Sequence, residues 1–78
     1  MTLDRLKIGE RAIIITVKGR GILRHRLLDM GLTPRTQVYM RNVAPMGDPI
    51  EIALRGYTLT LRKKEAKNIE IEVIYESV

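Results

Sequence analysis

The one histidine of this chain, His25, lies four residues before Asp29 in a stretch with a helical pattern. Residues four apart lie on the same helix face, and an imidazole and a carboxylate in that arrangement can ligate a divalent ion. Two ligands are too few for a tight site, and the neighbouring Arg24 and Arg26 repel a cation. An ordinary helix pair, in which Asp29 bonds His25 or an arginine, is the alternative. We predict no cofactor, and at most weak metal binding that a second molecule would complete.

Residues suited to covalent catalysis are scarce. The chain has no cysteine and no serine before Ser77. It therefore lacks a thiol nucleophile, a thiolate metal site and a disulfide. Three glutamates near the end, Glu70, Glu72 and Glu76, alternate with apolar residues, as is typical of the exposed face of a strand. Since nothing here assembles a nucleophile, a base and an oxyanion site, we predict a protein that is not an enzyme.

Positive charge is concentrated in one segment. The net charge of the 78 residues is +5. Residues 18–41 hold six cations and one acid, and so carry +5, whereas residues 1–17 carry +1 and residues 42–78 carry −1. Arginines make charge-assisted hydrogen bonds to carboxylates, which suits an acidic protein partner; the alternative is a solvated helix face. We predict partner contacts at four positions of this segment: Arg20, Arg24, His25 and Arg26.

A turn-forming cluster, residues 44–49 (APMGDP), supplies the second candidate surface. Glycine and proline punctuate the chain there, and Met46 would be an adaptable apolar anchor on an exposed turn. Asp48 is the polar candidate in the same loop. The alternative is a plain hairpin loop whose aspartate bonds nearby backbone. We predict that Met46 and Asp48 contact a partner.

Alternating apolar residues predict the elements that position these side chains. A helix over residues 22–30 places Leu23, Leu27 and Met30 in one core stripe with Ile22 beside them, and Gly31 fits a left-handed cap. The expected strands are 13–17, 38–41, 50–54, 57–61 and 69–75, with a helical turn at 63–67. So small a chain needs a closed sheet to bury enough apolar surface. We predict one mainly β domain over residues 1–78, a small SH3-like barrel of about five strands with one inserted α-helix and a short helical turn before the last strand.

Three linked segments resemble a known family. They are residues 18–34 (KGRGILRHRLLDMGLTP), residues 43–52 (VAPMGDPIEI) and residues 55–66 (RGYTLTLRKKEA). Together with an opening at residues 3–10 (LDRLKIGE), their order and spacing are similar to ferrous iron transport protein A, FeoA. The match runs nearly end to end.

The resemblance implies a cytoplasmic SH3-like barrel that acts in bacterial uptake of ferrous iron. It implies a partner as well, the membrane transporter FeoB, whose cytoplasmic GTP-binding domain the small protein would bind and modulate. Any GTP chemistry would then belong to the partner. No apolar run approaches the ~20 residues that span a bilayer, so we expect no membrane insertion. Nothing in the sequence indicates the oligomeric state.

A small nucleic-acid-binding barrel is the alternative function, because the net charge of +5 and the basic helix suit a polyanion. Single-strand binders usually add aromatic stacking platforms. This chain has three tyrosines, Tyr39, Tyr57 and Tyr75, scattered over three predicted strands, with one at an expected core position. We therefore expect only weak, salt-suppressed attraction to nucleic acid.

Overall fold

The computed structural model describes residues 1–75, and its five strands form one antiparallel sheet. A short 3₁₀ turn, Leu3–Arg5, comes first. The strands and helices follow in the order β1 Arg11–Val17, α1 Gly21–Asp29, β2 Gln37–Val43, β3 Ile50–Leu54, β4 Tyr57–Leu61, α2 Lys63–Ala66 and β5 Ile69–Ile74. The strand order across the sheet is β4-β3-β2-β1-β5. The prediction of a mainly β fold with one inserted helix and a helical turn before the last strand is confirmed; Glu76 lies outside the described residues.

One aliphatic core lies inside the sheet. The strands at the two ends of the sheet both contribute to it, through Leu61 of β4 and Ile71 of β5, so the sheet curls around the core. Within residues 1–75 no β4–β5 ladder closes the barrel, so the prediction of a fully closed sheet is wrong for this part of the chain. The N-terminal segment instead lies beside β5, where the Ile71 N–H donates to the Met1 carbonyl at 2.8 Å and Thr2 forms a bridge with Glu70.

The N-terminal amine lies 2.6 Å from a carboxylate oxygen of Glu70. Its hydrogen bond favours the ionised carboxylate and lowers the pKa of Glu70 below the ordinary value of 4.5, with the charges of the amine and of Lys18 acting in the same direction. This contact joins the start of the chain to β5.

A bulge in β1 changes the predicted alternation. Strict alternation over residues 13–17 predicts Ile13, Ile15 and Val17 on one face and Ile14 and Thr16 on the other. The pairing with β5 shifts register between Ile14 and Thr16, so that Ile14 and Val17 are both buried and Ile15 is exposed. The extra residue of a bulge reverses the in-and-out order for the rest of the strand, and alternation alone gives no sign of it.

Helix α1 packs mainly through its C-terminal half. Leu27 is fully buried, whereas Leu23 and Met30 are half-buried against the core. Ile22, expected beside this stripe, is 87% exposed, because it lies in the first turn of the helix, away from the core. Leu28, outside the predicted stripe, packs against the core as well. The prediction therefore holds for the stripe and is wrong for Ile22.

The predicted left-handed cap at Gly31 is confirmed, with φ at +98°. The Gly31 N–H donates to the Leu28 carbonyl at 3.0 Å, and the Leu32 N–H donates to the Leu27 carbonyl at 3.2 Å. This pair of bonds is the Schellman motif. Leu27 and Leu32, which the second bond joins, are both fully buried. The cap therefore provides hydrogen-bond donors for two carbonyls of the last helical turn, and the C-terminal end of the helix packs in the core.

Candidate functional site

The predicted basic segment, residues 20–26, lies at the first two turns of α1. Arg20 is the N-cap residue in extended backbone geometry, and both Arg20 and His25 are exposed. Arg24 is exposed too, but its Nε donates to the Val17 carbonyl at 3.2 Å. Because Val17 is the last residue of β1, this bond ties the start of α1 to the strand before it. Arg24 thus has a structural contact in addition to its predicted partner contact.

Arg26 pairs with Glu65, which sequence reasoning had not singled out. The Arg26 guanidinium donates to one carboxylate oxygen, and the other accepts the Arg62 N–H at 3.0 Å. The Glu65 side chain is only 13% exposed. It therefore links α1 to the start of α2. A sequence signal existed, since Glu65 lies three residues after Arg62, the spacing at which an N3 glutamate bonds the N-cap N–H.

The loop at residues 44–49 is a compact turn. Met46 is 92% exposed, as a docking residue would need to be. Asp48 is exposed, and its Oδ1 accepts the Lys63 N–H at 2.9 Å. The aspartate does bond backbone, as the hairpin alternative expected, but the backbone lies at the start of α2, 15 residues on. The loop is thereby held against α2, and Met46 is presented on a fixed support.

An open pocket of about 590 Å³ lies between α1 and the β4–α2 segment. We call it the α1–α2 groove. Its lining residues come from α1, the 44–49 loop, the end of β4 and the α2 segment: Arg26, Met30, Pro49, Thr60, Leu61, Arg62, Lys64 and Glu65. The tertiary structure therefore brings one end of the basic helix and one end of the turn cluster to the same concave surface.

The weak metal candidates, His25 and Asp29, are both exposed on α1. Within residues 1–75 no three histidine, aspartate or glutamate side chains come close enough to hold a metal ion. Divalent ion binding by the pair stays a prediction. The same part of the chain contains no helix that is long and apolar enough to cross a membrane.

The tyrosines do not form a common platform. Tyr39 lies on β2, Tyr57 on β4 and Tyr75 after β5, so at least one strand separates each from the next across the sheet. All three are exposed, which makes the expected core position of one of them wrong. The Tyr57 hydroxyl is engaged, because it donates to the Met30 carbonyl at the end of α1. This distribution does not favour base stacking.

A family model for the FeoA domain matches residues 1–73. The chain belongs to the FeoA family. It is 36% identical over 74 residues to the Fe(2+) transport protein A/Fe(2+) transporter FeoB fusion protein of Porphyromonas gingivalis, a match that takes in 95% of this chain. The chain spans only 9% of the length of that fusion protein, so it corresponds to one small domain of it.

Solved structures of FeoA proteins have the same fold as this FeoA domain. The solution structure of a FeoA-like protein from Clostridium acetobutylicum is 40% identical, with a TM-score of 0.91 over 100% of this chain and 91% of that one. The zinc complex of Stenotrophomonas maltophilia FeoA, described as a prokaryotic SH3 domain protein, is 25% identical. It matches with a TM-score of 0.82 over 92% of this chain and 89% of that one. The predicted SH3-like fold and family resemblance are confirmed.

Proposed function

We propose that this FeoA domain is a non-enzymatic accessory protein of bacterial ferrous iron uptake. In this proposal it binds the cytoplasmic GTP-binding region of a FeoB-type transporter and modulates transport or nucleotide turnover. The observation that carries the proposal is the Porphyromonas gingivalis fusion, in which a segment 36% identical to this chain is joined to a FeoB transporter in one polypeptide. Fusion of two proteins into one chain is expected where the two parts work together.

The form of the domain supports a binding role. Its core is filled by aliphatic side chains, and the candidate residues lie on the outside of α1 and on the adjoining loop. A rigid small sheet that presents charged and apolar groups on its surface is suited to contact with a partner protein. All six candidates are exposed. Three of them also hold internal contacts: Arg24, Arg26 and Asp48.

The direct test is a titration of the isotopically labelled domain with the cytoplasmic domain of its cognate transporter, followed by backbone amide shifts. The titration is repeated with a GTP analogue and with Fe(II). We expect saturable shifts that cluster on residues 18–35 and 44–49. No shift in any nucleotide state at concentrations near 1 mM, a range that detects even millimolar dissociation constants, would overturn the proposed partner.

Divalent metal at His25 and Asp29 enters the proposal only as a weak, shared site. The two exposed side chains supply at most two ligands, and a second molecule would supply the rest. We expect Zn²⁺ to shift the His25 ring signals only at high metal concentration, and Asp29→Ala to weaken that response further. Tight binding by the monomeric His25→Ala variant would contradict this assignment and place metal elsewhere.

A further inference from the structure

The α1–α2 groove lies between a helix and a sheet edge that run side by side. Two contacts set this arrangement: the Tyr57 hydroxyl donates to the Met30 carbonyl, and the Arg26 guanidinium donates to the Glu65 carboxylate. From the first contact to the second, the residue number rises from Tyr57 to Glu65 along β4 and α2 but falls from Met30 to Arg26 along α1. The two segments are therefore antiparallel. The groove opens between the two contacts. Its volume lies within the range of ligand-binding clefts, roughly 300–1,000 Å³.

The groove is positively charged. Three cations and one carboxylate line it, which leaves a net charge of +2. The carboxylate, Glu65, already accepts hydrogen bonds on both oxygens. Arg62 and Lys64 are exposed, and neither side chain pairs with an acid within residues 1–75. An incoming carboxylate would therefore meet two cations that have no internal competitor.

The β4 edge offers main-chain hydrogen bonds to an extended ligand. The two-residue turn Arg55–Gly56, with φ at +48° and +83°, makes Leu54 and Tyr57 the first hydrogen-bonded pair of the hairpin. Bonded pairs alternate along the ladder, so the N–H and C=O of Thr60 point away from β3. β4 ends the sheet, and no further strand pairs with it within residues 1–75.

Apolar surface completes the groove. Met30 and Pro49 contribute apolar lining that a ligand can reach, whereas Leu61, at the bottom of the groove, is only 2% exposed. Ile22 lies one helical turn before Arg26 on the same face of α1 and is 87% exposed, so it extends the apolar surface beyond the groove. An occupant with acidic side chains and one apolar side chain would match both the charge and the lining.

We propose that the α1–α2 groove binds a short, extended, acidic segment of a partner protein, with one apolar side chain against Met30 and Pro49 and flanking carboxylates on Arg62 and Lys64. The segment's main chain bonds the outward groups of Thr60, as in recognition by strand addition. This goes beyond the proposed function, because it names the recognised chemistry and holds whichever protein supplies the segment.

The test uses an end-blocked peptide, Gly-Glu-Leu-Glu-Gly, titrated into the labelled domain at about 150 mM salt. We expect saturable amide shifts confined to residues 26–30 and 60–65. Peptides with glutamine or lysine in place of both glutamates, or with glycine in place of leucine, should bind more weakly. Equal binding of the lysine peptide, or shifts elsewhere on the domain, would overturn the proposal. Inorganic phosphate that reproduces the same shifts at the same concentration would also overturn it, in favour of a small-anion site.

Two matched variants distinguish peptide binding in the groove from general charge attraction to the domain. Lys64→Glu and Lys7→Glu change the same residue type on the surface by the same charge, but only Lys64 lines the groove. We expect Lys64→Glu to weaken peptide binding roughly threefold or more and Lys7→Glu to leave it nearly unchanged. Equal weakening by the two variants would show that binding depends only on the net charge of the domain, and it would overturn the proposal.

A second pair of variants tests the main-chain bond. Thr60→Pro removes an N–H that faces away from β3, so the β3–β4 ladder keeps its bonds. Thr60→Ala keeps the N–H and serves as its control. We expect Thr60→Pro to weaken the peptide roughly fivefold relative to Thr60→Ala. Equal affinity of the two, with both domains folded, would overturn the strand-addition geometry.

Discussion

Gly31 shows how one residue joins backbone geometry to side-chain packing. Its φ of +98° favours glycine, and a Cβ placed there would lie 2.8 Å from the Tyr57 hydroxyl oxygen. We expect Gly31→Ala to lower the free energy of unfolding by about 1–3 kcal/mol from backbone strain, and by more because Tyr57 must move. Chemical denaturation measures the loss.

The matched control is Gly56→Ala, where φ is +83° but no atom lies within 4 Å of the added Cβ. This variant has the backbone strain alone and should be the less destabilised of the two. A double-mutant cycle with Tyr57→Phe then isolates the contact. Equal losses in the two alanine variants would show that Tyr57 moves aside at no cost.

At the scale of elements, Asp48 joins the 44–49 loop to α2. Its Oδ1 accepts the Lys63 N–H, one of the donors that a helix start leaves unpaired. We expect Asp48→Ala to cost about 1 kcal/mol of unfolding free energy, as loss of a helix cap does. Asp48→Asn keeps an acceptor oxygen and should recover most of the loss.

The control is Met46→Ala, at a 92% exposed position of the same loop, whose unfolding free energy should stay within about ±0.5 kcal/mol of that of the unmodified chain. A loss in Met46→Ala as large as in Asp48→Ala would contradict this assignment.

The contact between the N-terminal amine and β5 predicts a pH dependence. The pKa of Glu70 is lowered in the folded state by its hydrogen bond to the amine. A lowered carboxyl pKa stabilises the fold above the unfolded value, 4.5 for this group, and the stabilisation is lost as the pH falls through the folded value. The difference in unfolding free energy between the unmodified chain and Glu70→Gln should therefore shrink as the solution is acidified below that value. Acetylation of the amine should have the same effect as the substitution; a difference independent of pH would contradict the assignment.

At the scale of the whole molecule, the predicted partner surface depends on charges that the fold leaves available. Arg24 and Arg26 are unsuitable for a simple charge-reversal test, because one bonds the end of β1 and the other bonds Glu65. Arg20 is exposed and makes neither contact. We expect Arg20→Glu to weaken binding of the transporter's cytoplasmic domain and to reduce its salt dependence, with the melting temperature unchanged. Lys7→Glu, a matched reversal away from α1, is the control. Equal affinity of the two variants would move the interface away from residue 20.

The sequence by itself determined the element types and their order, the left-handed cap at Gly31 that follows α1, and the family. These features depend on local backbone preferences and on the spacing of nearby residues, which a single chain displays directly. Tertiary structure decided the rest. The bulge at Ile15 depends on pairing with β5, and the exposure of Ile22 depends on which end of α1 reaches the core. Glu65 gained its role from an arginine 39 residues away. The groove exists only because α1 packs beside the edge of β4, and contacts between segments so distant in the chain leave no periodic pattern in the sequence.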